Sequence, residues 1–177
     1  MVLDLRQMRG SEDRVDRTCP ADTFAAAASV EYTVVAAVAL MLRVRRDGKN
    51  CRVTGRFATR VQLSCCRCLD PFEVARDIDV DLLYLPQSAN RGEAEAEISA
   101  GDLSTAFYRD EQIDLADMVR EQLQLAVPMK PLCRDECCGL CPVCGTNLNI
   151  ERCACDTRWR DPRLAALETL LSGREQR

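Results

Sequence analysis

Histidine is absent from all 177 residues. Without it the chain has no Ser-His or Cys-His nucleophile pair and no imidazole acid-base step, and any metal must be held by thiolate with at most carboxylate. Long apolar runs are also missing: the longest uncharged one, residues 34–42, is half the length of a membrane span. Asp4, Arg6, Arg9, Glu12 and Asp13 occupy the region where a secretory signal carries apolar residues. Together these absences argue against a secreted, disulfide-framed protein and lead to the expectation of a soluble, cytoplasmic chain. No solenoid repeat is present, and no acid-base constellation supports a nuclease. Asp77, Asp79 and Asp81 alternate along one strand face, the pattern of a solvated acidic edge.

Cysteine is what the chain has in excess. Of its 12 cysteines, Cys133, Cys137, Cys138, Cys141, Cys144, Cys153 and Cys155 fall within one short stretch, around the turn Cys141-Pro142-Val143-Cys144-Gly145. Two thiolates separated by two residues converge on one metal, and the glycine supplies the conformation that follows the turn, so this reads as a zinc knuckle. Cys65 and Cys68 form a second Cys-x-x-Cys upstream. Eight such thiolates fill two tetrahedral shells, and a closed Cys₄ shell leaves no position for water or substrate, which makes the sites structural. Iron-sulfur ligation and a dithiol redox switch are the competing readings. The order strand, knuckle, strand does not place a Cys-x-x-Cys at a helix N-terminus, as a dithiol oxidoreductase would. Cys19 and Cys51 read as ordinary buried residues.

The net charge of −4 argues against a general nucleic-acid coat, but the charge is unevenly spread. Residues 43–60 hold seven basic residues against Asp47, whereas residues 70–117 hold thirteen acidic residues against three arginines. Polarity of this kind can orient a protein on a charged partner. Trp159, between Arg158 and Arg160, reads first as a packing anchor and second as a base-stacking residue.

Apolar periodicity supplies the elements. A short strand is expected at residues 2–5, followed by a loosely held segment to residue 28. From Tyr32 the chain alternates: Val38, Leu40, Leu42 and Val44 share one parity, with Arg43 and Arg45 on the other. Asp47-Gly48 signals a hairpin, after which Cys51, Val53, Gly55 and Phe57 alternate with Arg52, Thr54 and Arg56, and the pattern runs on through Val61 and Leu63 into the first knuckle. A further strand carries Phe72, Val74, Ile78, Val80, Leu82 and Tyr84. Residues 86–101 read as a flexible polar loop. Asp114 caps a helix bearing Leu115, Met118, Val119, Gln122, Leu123 and Ala126, which Pro128 ends. Asp161-Pro162 opens a last helix with Leu164, Leu167, Leu170 and Leu171. The expected fold is α+β: an antiparallel sheet meander or half-barrel with a few helices and a C-terminal zinc-knuckle module, divided at residues 1–28, 29–128 and 129–177.

Several separated motifs occur in order: Cys65-Cys66-Arg67-Cys68-Leu69-Asp70-Pro71-Phe72, Pro131-Leu132-Cys133, Gly139-Leu140-Cys141-Pro142-Val143-Cys144-Gly145, Asn147-Leu148-Asn149 and Asp161-Pro162-Arg163-Leu164. In these the chain, from about Tyr32 onward, resembles the YceD family of large-subunit ribosomal RNA accumulation proteins. The resemblance implies a small antiparallel sheet protein that supports accumulation of 23S ribosomal RNA and carries no catalytic residue set. It departs from the family's pattern at the additional Cys66 and Cys138.

Two metal pairings remain open. The favoured one joins Cys65 and Cys68 with Cys133 and Cys137, and Cys141 and Cys144 with Cys153 and Cys155. The other joins Cys133, Cys137, Cys141 and Cys144, leaving Cys65 and Cys68 for Cys153 and Cys155. Two structural zinc ions are expected either way. With the resemblance in view, Arg43, Arg45, Arg52, Arg56 and Arg60 become candidates for contact with ribosomal RNA or a pre-50S particle. The rival is an adaptor whose acidic region meets a basic ribosomal protein. Neither a membrane nor a small-molecule substrate is implied.

Overall fold

The computed structural model describes residues 1–8, 10–24, 32–89 and 102–156. They form two compact units, residues 1–65 with 70–133, and residues 66–69 with those from 134 onward.

The first unit is an open sheet of six strands with a helix and a separate strand pair. In chain order its strands are β1 (Val2–Asp4), β2 (Glu12–Cys19), β3 (Tyr32–Val34), β4 (Val38–Asp47), β5 (Asn50–Ser64), β6 (Pro71–Pro86), β7 (Thr105–Tyr108) and β8 (Gln112–Asp114), followed by helix α1 (Leu115–Ala126). The order across the sheet is β2-β4-β5-β6-β7, with β3 also pairing β5, while β1 pairs β8 apart from it.

The alternation read in the sequence dictates which face is buried. Val38, Leu40, Leu42 and Val44 of β4 and Val53, Phe57, Val61 and Leu63 of β5 all point into the core, each no more than 2 % exposed. The β4–β5 hairpin closes at Asp47↔Asn50 with Gly48 at φ +60°, a conformation glycine adopts without a Cβ clash. Strand β5 spans 15 residues. That length lets it pair β3 and β4 in succession along one edge and β6 along the other, from Cys51↔Tyr84 to Ser64↔Pro71.

Helix α1 begins as expected. The Asp114 carboxylate accepts hydrogen bonds from the backbone N–H of Ala116 (2.8 Å) and Asp117 (3.3 Å), and Leu115, Met118, Val119 and Leu123 are buried. Tyr32 donates its hydroxyl to the Arg120 carbonyl (3.1 Å), tying β3 to the helix. Burial opposes the charge on Asp114, but the two N–H donors prevail and hold its carboxyl below the usual value. A lowered folded pKa contributes stability above the unfolded value, near 4, and that contribution disappears as pH falls through the folded value. Asp114→Ala should therefore lower stability by about 1 kcal/mol at neutral pH. The deficit should shrink below pH ~3, as urea denaturation at the two pH values will show.

Three features depart from expectation. The segment thought loose contains β2, antiparallel to β4 from Glu12↔Arg45 to Cys19↔Val38. Only Val15 and Cys19 of its eight residues are buried, so no period-two signal exists. Strands β7 and β8 are also additional, and at four and three residues they are too short to alternate visibly. Because β7 runs parallel to the end of β6, the sheet is mixed and open, neither a purely antiparallel meander nor a closed barrel. The helix expected after Asp161-Pro162, Trp159 and residues 90–101 of the polar loop lie outside the described residues. Among the described residues no helix is long and apolar enough to cross a membrane.

Candidate metal centres

The turn at Cys141 is built by its backbone. Gly145 donates its N–H to the Cys141 carbonyl (2.9 Å), Cys141 donates to Thr146 O (2.9 Å), and Leu148 donates to Gly139 O (2.9 Å). Gly145 sits at φ +75°, the left-handed conformation the sequence reserved it for. The sulfurs of Cys141, Cys144, Cys153 and Cys155 come within 4.8 Å of one another. Sulfurs at the corners of a zinc tetrahedron stand about 3.8 Å apart, as Zn–S bonds of ~2.3 Å require, so the four thiols fit the ion with little movement.

Their proton chemistry points the same way. The Thr146 hydroxyl and backbone N–H bring the Cys144 thiol down to about 6, while the hydrogen bond with Cys144 pushes Cys155 up to about 12. Four adjacent thiols cannot all ionise without a cation, because each new thiolate faces those already formed. A divalent ion removes that conflict.

Sulfurs of Cys65, Cys68, Cys133 and Cys137 form the second group, again all within 4.8 Å. The two groups are those of the favoured pairing, and both can hold metal ions. Leu69, at φ +62°, closes the turn after Cys68, and Cys65 donates its N–H to Asp70 O (3.0 Å). The Arg67 guanidinium donates to the carbonyls of Cys137 (2.9 Å) and Asp135 (3.3 Å). Cys66 and Cys138 are exposed and belong to neither group. Cys19 and Cys51 are buried in the core.

Asn149 was noted in the sequence only as part of a motif. Its Oδ1 accepts from the backbone N–H of Cys138 (2.9 Å) and from Arg134 (2.7 Å), and its Nδ2 donates to Cys137 Sγ (3.3 Å). The backbone N–H can only donate, which fixes the amide oxygen on that side and aims the NH₂ at the sulfur. An N–H donor stabilises a thiolate and orients it. Asn149→Asp replaces that donor with a negative oxygen, and the metal affinity of the Cys137 group should fall about 10- to 100-fold. Competition with a chromogenic chelator measures this; the Cys141 group should be unaffected.

The arginine face is less open than the sequence implied. Arg43 pairs with Glu12 (3.2 Å), Arg52 with Asp81 through two bonds of 2.7 Å, Arg56 with Asp77 (3.9 Å) and Arg60 with Glu73 (3.4 Å). Arg45 has no carboxylate partner among the described residues. Sequence separations hid these pairs, because only the registers of β5 on β6 and of β2 on β4 bring them together. Arg46 is also committed, donating to Leu5 O (3.2 Å), Gly48 O (3.1 Å) and the Glu111 carboxylate (3.0 Å).

The family model described as large ribosomal RNA subunit accumulation protein YceD matches residues 53–171. An uncharacterized protein of Mycobacterium tuberculosis is 32% identical over 112 residues, which is 63% of this chain and 52% of that protein. Another uncharacterized protein, from Mycobacterium leprae, is 28% identical over 117 residues, 66% of this chain and 51% of its own length. A chloroplastic YCED homolog of Zea mays, named a large ribosomal RNA subunit accumulation protein, is 26% identical over 137 residues, 64% and 46% of the two chains. The chain spans about half the length of the curated relatives it matches. No solved structure matches.

Proposed function

Because the chain belongs to the YceD family, whose name ties it to accumulation of large-subunit ribosomal RNA, we propose that it is a non-enzymatic, zinc-stabilised factor in large-subunit ribosome biogenesis, acting in the cytoplasm. The observation that carries this reading is the family match across β5, β6, α1 and both cysteine groups. Zinc is the metal that best suits eight thiolates without histidine, and in closed Cys₄ shells it supplies cross-linking rather than Lewis acidity. The chain's own contribution is to shape the shells through Gly145, Leu69 and Asn149.

Depletion of the protein in growing cells tests the role. The ratio of 23S to 16S ribosomal RNA should fall, and an unchanged ratio would overturn the reading.

Two kinds of partner are compatible with such a factor. Direct RNA contact through Arg43, Arg45, Arg52, Arg56 and Arg60 requires four of the five to leave a carboxylate. The same pairs occupy Glu73, Asp77 and Asp81 of β6, so the ladder weighs on both readings alike. The excess of acid on β6, where Asp79 has no ion-pair partner among the described residues, supports the second reading, a basic protein of the large subunit. Reversal of Arg45 and Arg52 to glutamate separates the two, since it should weaken binding to 23S fragments only if the arginines touch phosphate.

A further inference from the structure

We propose that the outer edge of β6, over residues 71–82, receives a strand from a partner protein in which basic and apolar residues alternate. This rests on the reading that the partner is a basic protein, and it specifies how that partner is held.

Strand β6 is 16 residues long and pairs with β5 along one side from Pro71 to Tyr84. On its other side β7 pairs only with Leu83, Tyr84, Leu85 and Pro86. Among the described residues nothing pairs with the rest of that edge. In an antiparallel strand every second residue directs its N–H and C=O outward, so the stretch presents a row of open donors and acceptors. Addition of a strand satisfies them.

Charge selects the occupant. Glu73, Asp77, Asp79 and Asp81 stand on the outer face of β6, and Asp79 has no ion-pair partner among the described residues. If a second copy paired edge to edge about Asp77, that residue would face itself and Glu73 would face Asp81. Like charges directly opposite are destabilising, so the edge rejects its own copy. The same carboxylates suit lysine or arginine. Arg52, Arg56 and Arg60 lie on β5, about 4.8 Å further from the edge, and an incoming strand reaches the acids first.

The inner face specifies the alternate positions. Phe72, Val74 and Ile78 are only partly buried, packed at the margin of the core. Apolar residues on an added strand would extend that cover. Arg76 shares this face, and its Nε is buried without a hydrogen-bond partner. Thr59, opposite it, donates its hydroxyl to Ala36 O (3.0 Å). Arg76 is half-buried and sets one charge on this otherwise apolar face, so a carboxylate or amide on the partner fits beside the accessible part of its guanidinium. The recognised strand is thus basic on one face and apolar on the other, with one acceptor among its apolar positions.

The test uses the full zinc-loaded chain and a fluorescein-labelled nonapeptide of alternating lysine and valine, with glutamate at the central valine position, read by anisotropy. Methylation of the peptide's alternate backbone amides should weaken binding about 10-fold, since it removes ladder hydrogen bonds. The double change Asp77→Lys, Asp79→Lys should do at least as much. Arg76→Ala should weaken the glutamate peptide and spare its all-valine counterpart. Equal binding of the methylated peptide, or of a glutamate–valine peptide, would overturn the proposal without recourse to any variant. So would elution of the free chain as a dimer blocked from the peptide, or displacement of the peptide by 23S RNA fragments. A fall in the 23S to 16S ratio on depletion, with no peptide binding, would sink the edge assignment and leave the ribosomal role standing.

Discussion

Protein purified without chelator is expected to carry two zinc ions per chain, and the variants Cys68→Ser and Cys141→Ser one each, because the eight thiols form two separate groups. The structural consequence should be large. In residues 134–156 the buried positions are Cys137, Gly139 and Cys141, while Val143 and Ile150 are 64% and 77% exposed. That segment has no apolar core to replace the metal. Structural zinc in such sites contributes on the order of 10 kcal/mol, comparable with the stability of a whole domain. Chelation should therefore abolish amide protection across residues 134–156, whereas β4, β5 and α1 keep theirs through Leu40, Phe57, Val119 and Leu123. Hydrogen exchange with and without chelator checks both halves. Protection of residues 134–156 that survives complete metal removal would refute the structural role. Iron with visible absorbance in place of zinc would turn attention to redox chemistry.

Gly55→Ala should destabilise the sheet by about 4 kcal/mol, the sum of backbone strain and overpacking. Gly55 lies opposite Leu42 at φ +139°, and an added Cβ would sit 2.2 Å from the Met41 carbonyl oxygen and 2.9 Å from Leu42 Cα. Both neighbours are backbone, so no rotamer change relieves the clash. Gly48→Ala is the matched control. Gly48 also has a positive φ, +60°, but nothing lies within 4 Å of its absent Cβ, and the loss there should be about 1 kcal/mol. Urea denaturation of the two variants separates the close approach from the conformational preference. Equal losses would show that β4 and β5 can part at Gly55.

Much of this architecture was legible in local pattern. Val38, Leu40, Leu42 and Val44 announced β4, Asp47-Gly48 its turn, Asp114 the start of α1 and Pro128 its end. The knuckle spacings marked out the candidate thiols of both groups, whereas Cys66 and Cys138, inside the same knuckles, left the ligand register open until the folded distances placed them outside both groups. Each of these signals spans a few residues, and the physics that produces it is local: side-chain alternation, capping, and the steric freedom of glycine. Strand β2 escaped because its edge position needs only Val15 and Cys19 to face inward.

The tertiary structure decided what depends on register and long-range proximity. Both metal pairings satisfied the same spacings, and only the folded distances distinguish them. The arginines of residues 43–60 looked available for phosphate until β6 lay beside β5 and β2 beside β4, which set carboxylates against four of the five candidates. Asn149 became a donor to Cys137 Sγ only once its oxygen was held by the Cys138 N–H. The sequence by itself determined β4, β5, β6 and α1, their buried faces and the candidate ligand inventory. Which groups meet was left to the fold, because a cross-strand partner or a shared metal is a contact between residues whose separation along the chain carries no information about their separation in space.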